Sequence, residues 1–206
     1  MRKTTTSRLA SLAALAGVVG LALAPVSVSA VTATANTTIN ANLGSTISIT
    51  TSGTVTLNIT PVSGGSQSSA SDTVTVNTNN ATGYNLAVKD ADATLTLTNG
   101  ANTIAASSNT FAAATTLANN TWGWAVANTT TGIGSNGFDA SYSAFTNQSS
   151  HASHWAGITA SDQQFKSTST TATNDTTTVW YSAKADTTKP NGTYTDTVVY
   201  TATTNP

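Results

Sequence analysis

The sequence predicts an all-β protein, a single antiparallel β-sandwich, and three observations lead to that prediction. Apolar residues alternate with Thr, Ser and Asn along most of the chain, which is the period of a half-buried strand. Of 206 residues, 45 are Thr, 24 Ser and 19 Asn, and Thr and Val suit a pleated, half-buried surface. Only 7% of residues are charged and Glu is absent, so the outer faces of ordinary amphipathic helices cannot be built.

Residues 1–30 have the features of a secretory signal peptide. Basic residues at positions 2, 3 and 8 precede an apolar run over 9–24, and Val28-Ser29-Ala30 presents small residues to a signal peptidase. The run is shorter than the ~20 residues that cross a bilayer. We therefore expect cleavage after residue 30, a secreted bacterial protein, and no membrane span in the mature chain, which would form one domain over residues 31–206.

The charge and cysteine content of that mature chain exclude several partners. Three of the seven basic residues lie in the signal peptide, so four Lys remain against eight Asp and the net charge is 4 − 8 = −4. Without a basic patch, neither nucleic acid nor an anionic membrane surface is an expected partner. With no Cys, there is no disulfide framework, thiolate metal site or lipidated thiol. We expect no cofactor.

Eight strand segments are predicted in order, each with apolar residues at every second position. They contain Ile47 and Ile49; Val55, Leu57 and Ile59; Val74 and Val76; Tyr84, Leu86 and Val88; Leu95 and Leu97; Trp122, Trp124 and Val126; Val179, Tyr181 and Ala183; and Val198, Tyr200 and Ala202. Asn99-Gly100 predicts a hairpin turn, with Ile104 on the return strand. No helix longer than a single turn is expected.

Two stretches lack the alternation. Residues 61–72, rich in Ser and Gly, are typical of a flexible linker, although too little chain precedes them for a separate domain. Residues 128–172 predict a long excursion between strands, with a short strand such as Trp155 to Thr159 inside it.

The residues that could carry catalysis or bind a metal form incomplete sets. His151 and His154 could share a metal, but a zinc site needs further ligands and only Asp139 and Asp162 lie nearby in sequence. We expect two exposed loop histidines instead. An enzyme would need these four residues and Asp90 to converge in one cleft, and we expect no enzymatic activity.

A pair of aspartates precedes the predicted hairpin. Asp90 and Asp92 flank one residue and could offer oxygens to Ca²⁺, but no Gly-centred loop or bidentate Glu completes a ligand set. A solvated turn between strands is the favoured interpretation.

The tryptophans allow two interpretations. Trp122, Trp124, Trp155 and Trp180 could form a surface platform on which sugar rings stack, together with Tyr142 and Tyr181. Alternatively, they are core residues, since large aromatic side chains dominate buried area. We favour the core for at least two of the four.

Two segments resemble the signature motifs of WxL domains, a family of Gram-positive surface proteins. The C-terminal Tyr194-Thr-Asp-Thr-Val198-Val199-Tyr200-Thr-Ala202-Thr-Thr-Asn-Pro206 matches the spacing of the distal motif, with Tyr200 at the Trp position. Tyr84-Asn85-Leu86, within Val74 to Val88, resembles the first Trp-x-Leu. The resemblance implies an Ig-like or WxL-like β-sandwich attached noncovalently to peptidoglycan. If the motifs are structural instead, Tyr84 and Tyr200 lie in the core with their hydroxyls hydrogen-bonded.

The leading hypothesis is a secreted, non-catalytic surface protein that associates noncovalently with the cell wall, through peptidoglycan or another extracellular polysaccharide, or with surface proteins. The alternative is a self-assembling structural or adhesive subunit, pilus- or coat-like, that pairs through strand edges and forms oligomers. The candidate wall- or glycan-binding residues are Tyr84, Leu86, Trp122, Trp124, Trp155 and Tyr200.

Overall fold

The structure, a computed structural model, describes residues 29–110, 113–126 and 155–206. These residues form nine β-strands and no α-helix, which confirms the all-β prediction. The chain divides into two compact units, Met1–Asn42 and Leu43–Pro206, and all nine strands belong to the second. No helix in the described ranges is long and apolar enough to cross a membrane. The predicted signal sequence lies almost wholly outside them.

Six strands form one sheet, called sheet A. They are β1 (Ile47–Thr50), β2 (Ser66–Thr78), β4 (Thr96–Asn99), β5 (Asn102–Ala106), β6 (Thr121–Val126) and β8 (Ala172–Ala185), in the spatial order β1-β2-β8-β6-β5-β4. The long strands β2 and β8 pair antiparallel along most of their length and form the centre of the sheet.

Three strands form the second sheet, called sheet B. They are β3 (Tyr84–Asp90), β7 (Gln163–Ser167) and β9 (Val198–Thr204), in the order β7-β3-β9. Both pairs are antiparallel, and β3 and β9 pair over seven residues without a register shift. The C-terminal strand β9 is therefore an edge strand.

One strand pair departs from the antiparallel prediction. Strands β5 and β6 run parallel through two residue pairs. A parallel pair needs a connection of about a dozen residues or more, and the stretch of sequence between Ala106 and Thr121 is long enough for it. Alternation of side chains sets which residues face the core but carries no information about strand direction.

The hairpin prediction is confirmed with a shift of one residue. Strands β4 and β5 pair with Asn99 opposite Asn102, so the loop residues are Gly100 and Ala101. Gly100 has φ of 60°, and a glycine with positive φ at the first loop position is typical of a type II′ turn.

Two segment predictions were wrong. Residues 66–72 belong to β2 rather than to a linker, because their small side chains pair with β8; the turn itself is confined to the residues before β2, where Gly64 and Gly65 have positive φ. Residues 54–60 form no strand, although Val55, Leu57 and Ile59 are partly buried against the core. The alternating apolar side chains of this segment therefore pack against the core, although its backbone is not paired in a sheet.

The predicted excursion over 128–172 is described only from residue 155. Its predicted strand at Trp155 to Thr159 is reduced to isolated bridges at Trp155 and Ala156, and the regular strand is β7, at 163–167.

Side chains from both sheets meet in one buried core. Val74, Val76 and Val179 come from sheet A, and Leu86 and Val88 come from sheet B, each with 0% exposure. The two sheets also meet through their aromatic rings, because Trp124 of β6 contacts Phe165 of β7 edge-on at 5.5 Å between ring centroids.

Candidate functional site

The structure places the six predicted binding residues in or against the core. Tyr84, Leu86, Trp122, Trp124 and Trp155 are 0–3% exposed, and Tyr200 is partly buried. The interpretation of the tryptophans as core residues is thus confirmed for Trp122, Trp124 and Trp155, while Trp180 is partly exposed. None of the five buried side chains presents a ring or side-chain face to solvent, and the binding role of the six residues stays a prediction.

Tyr84 anchors a polar cluster between the two sheets. Its hydroxyl donates to Asp175 Oδ2 at 2.7 Å, and the buried Lys166 Nζ donates to Asp175 Oδ1 at 2.6 Å and to Thr177 Oγ1 at 3.0 Å. Burial and the adjacent Asp175 carboxylate raise the pKa of the Tyr84 hydroxyl far above its ordinary value. The cluster joins β3 and β7 to β8.

Tyr200 anchors a second polar cluster. Its hydroxyl lies 2.6 Å from that of Tyr181, and both interact with Asp72, whose Oδ1 accepts hydrogen bonds from the backbone N–H and hydroxyl of Ser52. Burial and the neighbouring Tyr181 raise the pKa of Tyr200 far above its ordinary value. Tyr84 thus lies in the core with its hydroxyl hydrogen-bonded, as the structural interpretation of the motifs predicts, whereas Tyr200 is hydrogen-bonded but only partly buried against the core.

A carboxyl pair lies where β3 ends and the chain enters β9. Asp90 is 2% exposed, and its Oδ2 and that of Asp196 are buried without a hydrogen-bond donor among the described residues. Burial first, and then the proximity of Asp90 and Asp92, raise the pKa of Asp196 to about 6, against the opposing bond from the Thr197 N–H. The side chains of Asp90 and Asp196 interact directly.

The prediction of a solvated turn was therefore right for Asp92 and wrong for Asp90. Asp92 is exposed and caps Thr94, whereas Asp90 ends a strand inside the protein and accepts the Asp92 N–H at 2.9 Å. Asp196 was missed, because a partner 106 residues away leaves no local signal. Within the described ranges no three acidic, His or Cys side chains are grouped closely enough to bind a metal.

The other residues considered for catalysis are only partly described. His151, His154, Asp139 and Tyr142 lie outside the described residues. Asp162 is exposed and forms an ion pair of 3.7 Å with Lys89.

A shallow cleft of about 400 Å³ opens at the end of sheet A where β1, β2 and the start of β8 meet. Its walls offer hydroxyls, amides and backbone groups but no aromatic ring, and they consist of Thr46, Ile47, Ser48, Asn77, Thr78, Asn79, Thr171, Ala172 and Thr173. Such a surface can hydrogen-bond polar groups of a ligand.

Strand β9 has an unpaired backbone edge. Asn205 N–H donates to Gly83 O at 3.0 Å and Ala91 N–H to Thr197 O at 2.9 Å, so the β3–β9 register directs the backbone groups of residues 199, 201 and 203 to β3. The backbone groups of the even-numbered residues therefore point away from β3. These residues are Val198, Tyr200, Ala202 and Thr204. Across the described part of the chain, no backbone hydrogen bond reaches this side of β9.

Comparison with known proteins adds no relative. No family model, no curated protein and no solved structure matches the chain.

Proposed function

We propose that this chain is a secreted, non-catalytic cell-surface protein with a β-sandwich fold that acts as a self-assembling structural or adhesive subunit. The unpaired edge of β9 carries the proposal. Its sequence, Val-Val-Tyr-Thr-Ala-Thr-Thr, contains no charged residue and no Pro, and its pairing with β3 has no bulge. Charges, Pro and bulges are the devices that normally keep edge strands from pairing with other chains. Their absence suits an edge that pairs with a neighbouring copy.

The sequence supports an extracellular setting for this assembly. Residues 1–30 have the pattern of a secretory signal, and the rest of the chain is weakly charged and rich in Thr. The WxL-like spacing of the Tyr84 and Tyr200 segments is also in keeping with a surface protein. In this proposal the two tyrosines act by tying the sheets together through Asp175 and Asp72, rather than by touching a ligand.

The assembly proposal is tested on chain purified from the culture medium of a secreting bacterium. Sedimentation velocity between roughly 1 and 100 μM is expected to show species that grow with concentration. Ala202→Pro removes one outward N–H while leaving the ladder to β3, because residue 202 is not bonded to β3. We expect this variant to remain monomeric and Ala202→Ser, which retains the N–H, to assemble. A monomeric wild type over the whole range would overturn the proposal.

A second candidate function is noncovalent association with the cell wall or another extracellular polysaccharide. The cleft between β1, β2 and β8 favours it, because exposed hydroxyl side chains such as those of Ser48, Thr171 and Thr173 can hydrogen-bond sugar hydroxyls. Retention on purified wall sacculi tests this candidate. We expect Thr173→Ala, which removes an exposed hydroxyl from the cleft, to reduce retention, and the same retention for wild type and variant would exclude the cleft as the binding site.

A further inference from the structure

Residues 31–43 form a further alternating segment, which precedes the predicted strand that contains Ile47 and Ile49. Thr or Asn occupies every even position. Apolar residues occupy the odd positions apart from Thr37, and these are Val31, Ala33, Ala35, Ile39, Ala41 and Leu43. We call this segment the N-terminal arm. It contains no charge, Gly or Pro, so its pattern is that of a strand with one apolar and one polar face.

The arm has this strand pattern without a strand partner. All of its residues are exposed, none is in a strand, and Val31, Ile39 and Leu43 are 93%, 89% and 85% exposed. Among the described residues, the other exposed large hydrophobic side chains are those of Val62 and Val199, and Val199 belongs to β9. Three large apolar side chains on one face of so short a segment favour burial against another surface.

The four edge strands differ in how well they could receive such a segment. Strands β1 and β4 have only four residues each, and β4 is also bridged at Thr98 to Thr195. Strand β7 contains Lys166 and a register shift in its pairing with β3. Strand β9 offers seven uncharged residues in regular register, and its inward side chains are only partly buried. By length, charge and register it is the best acceptor of the four, and β1 of the same copy lies beside it without a backbone hydrogen bond to it.

Building on the proposed assembly, we propose that the N-terminal arm of one copy pairs with the open edge of β9 in a neighbouring copy. The odd-numbered arm residues then cover the partly buried face of Val198, Tyr200 and Ala202, and the even-numbered residues face solvent. Thirteen extended residues reach about 43 Å, whereas pairing with seven residues of β9 needs about 23 Å. The remaining length links one copy to the next.

The alternation itself provides a matched test. In chain purified from culture medium, Ile39→Asp with Leu43→Asp places two charges on the apolar face, and Thr38→Asp with Asn42→Asp places the same charges on the polar face. We expect the first pair to weaken association by about tenfold or more, equivalent to about 1.4 kcal/mol. The second pair should leave association within about threefold of the wild type. Equal effects of the two pairs would contradict strand pairing through the odd face.

The absence of Cys permits a direct test of which segments meet. Thr38→Cys and Thr201→Cys are prepared as separate proteins, mixed and oxidised, because opposite residues in paired strands have Cβ atoms about 5 Å apart. Thr34→Cys and Asn42→Cys repeat the test at other registers, and Ser63→Cys in a turn replaces Thr201→Cys as the control. Disulfide-linked heterodimers are expected with Thr201→Cys and not with Ser63→Cys.

The outcomes separate this inference from the proposed function. In one outcome, the wild type assembles, both Asp pairs associate like the wild type, and Ser63→Cys forms the same heterodimers as Thr201→Cys. Assembly then stands and the arm is not the partner of β9. If the wild type is monomeric, the proposed function fails. If oxidation links the cysteines only within one chain in a Thr38→Cys/Thr201→Cys double variant, the arm folds onto its own copy and the intermolecular proposal is wrong.

Discussion

Asp196→Asn is expected to stabilise the folded chain at neutral pH and to remove much of its pH dependence. In the wild type, Asp90 Oδ2 and Asp196 Oδ2 are buried without a donor, and the pKa of Asp196 is raised to about 6, chiefly by burial. An Asn at position 196 supplies an N–H donor to Asp90 at every pH. The carboxyl pair, by contrast, has such a donor only while it holds a proton.

The sign and size of the effect follow from the raised pKa. Because folding favours the protonated form of Asp196, its stabilising contribution is complete below the unfolded pKa of about 4 and is lost as the pH rises through about 6. A shift of about two units corresponds to about 2.7 kcal/mol, and partial access of water to Asp196 reduces this to about 1 kcal/mol. In a chain of this size, Tm should therefore fall by about 2–4 °C between pH 4.5 and 7.5.

Thermal unfolding followed by circular dichroism at these two pH values measures the effect. Two other groups need controls. The His151→Gln/His154→Gln variant should retain the fall in Tm, since the imidazoles also titrate in this range. Hydrogen bonds from Thr188 hold the pKa of Asp186 below its ordinary value, so its titration lies below pH 4.5 and Asp186→Asn should leave the fall unchanged. A fall of equal size in wild type and Asp196→Asn would show that the raised pKa of Asp196 is not its cause, and a rise in Tm with Ca²⁺ in wild type alone would indicate a cation instead.

Two further substitutions test the packing of the core. Tyr84→Phe removes the hydroxyl that donates to Asp175 and should lower the free energy of unfolding by about 1–3 kcal/mol in urea titrations; no change would mean that the Tyr84 cluster does not stabilise the fold. Gly157→Ala would place a Cβ in steric overlap with Ser107 O, so it should destabilise strongly or prevent folding, whereas Gly44→Ala, with open space around it, should alter Tm by under about 2 °C. Equal Tm values for the two glycine variants would contradict the close approach at Gly157.

The alternating pattern was enough to predict most of the fold. It located β3, β6, β9 and the second half of β8, from Val179 on, because there every second side chain is apolar and faces the core. It missed the first half of β2, where small polar residues such as Ser68 and Ser69 pair with β8 and hydrogen-bond to Ser182. Strand pairing there is stabilised by backbone and hydroxyl hydrogen bonds, which hydrophobic patterning does not report.

The site could be predicted only in part. The spacing of the two motifs points to Tyr84 and Tyr200, and hydrogen-bonded burial is one of the two interpretations that the sequence allows for them. Their partners Asp72 and Asp175 could not be found from the sequence, because each comes from a strand of the opposite sheet. The unpaired side of β9 likewise depends on sheet order and register, which become known only once the strands are assembled.

Hydrogen exchange resolved to single amides by NMR tests the central claim, assembly through the β9 edge, most directly. At low concentration, the amides of residues 199, 201 and 203 should be protected by β3, and those of Val198, Tyr200, Ala202 and Thr204 should exchange freely. At high concentration, the second set should gain protection while the first remains unchanged. Alternating protection that appears only with concentration is the predicted result. Free exchange of the even-numbered amides at every concentration would contradict the account.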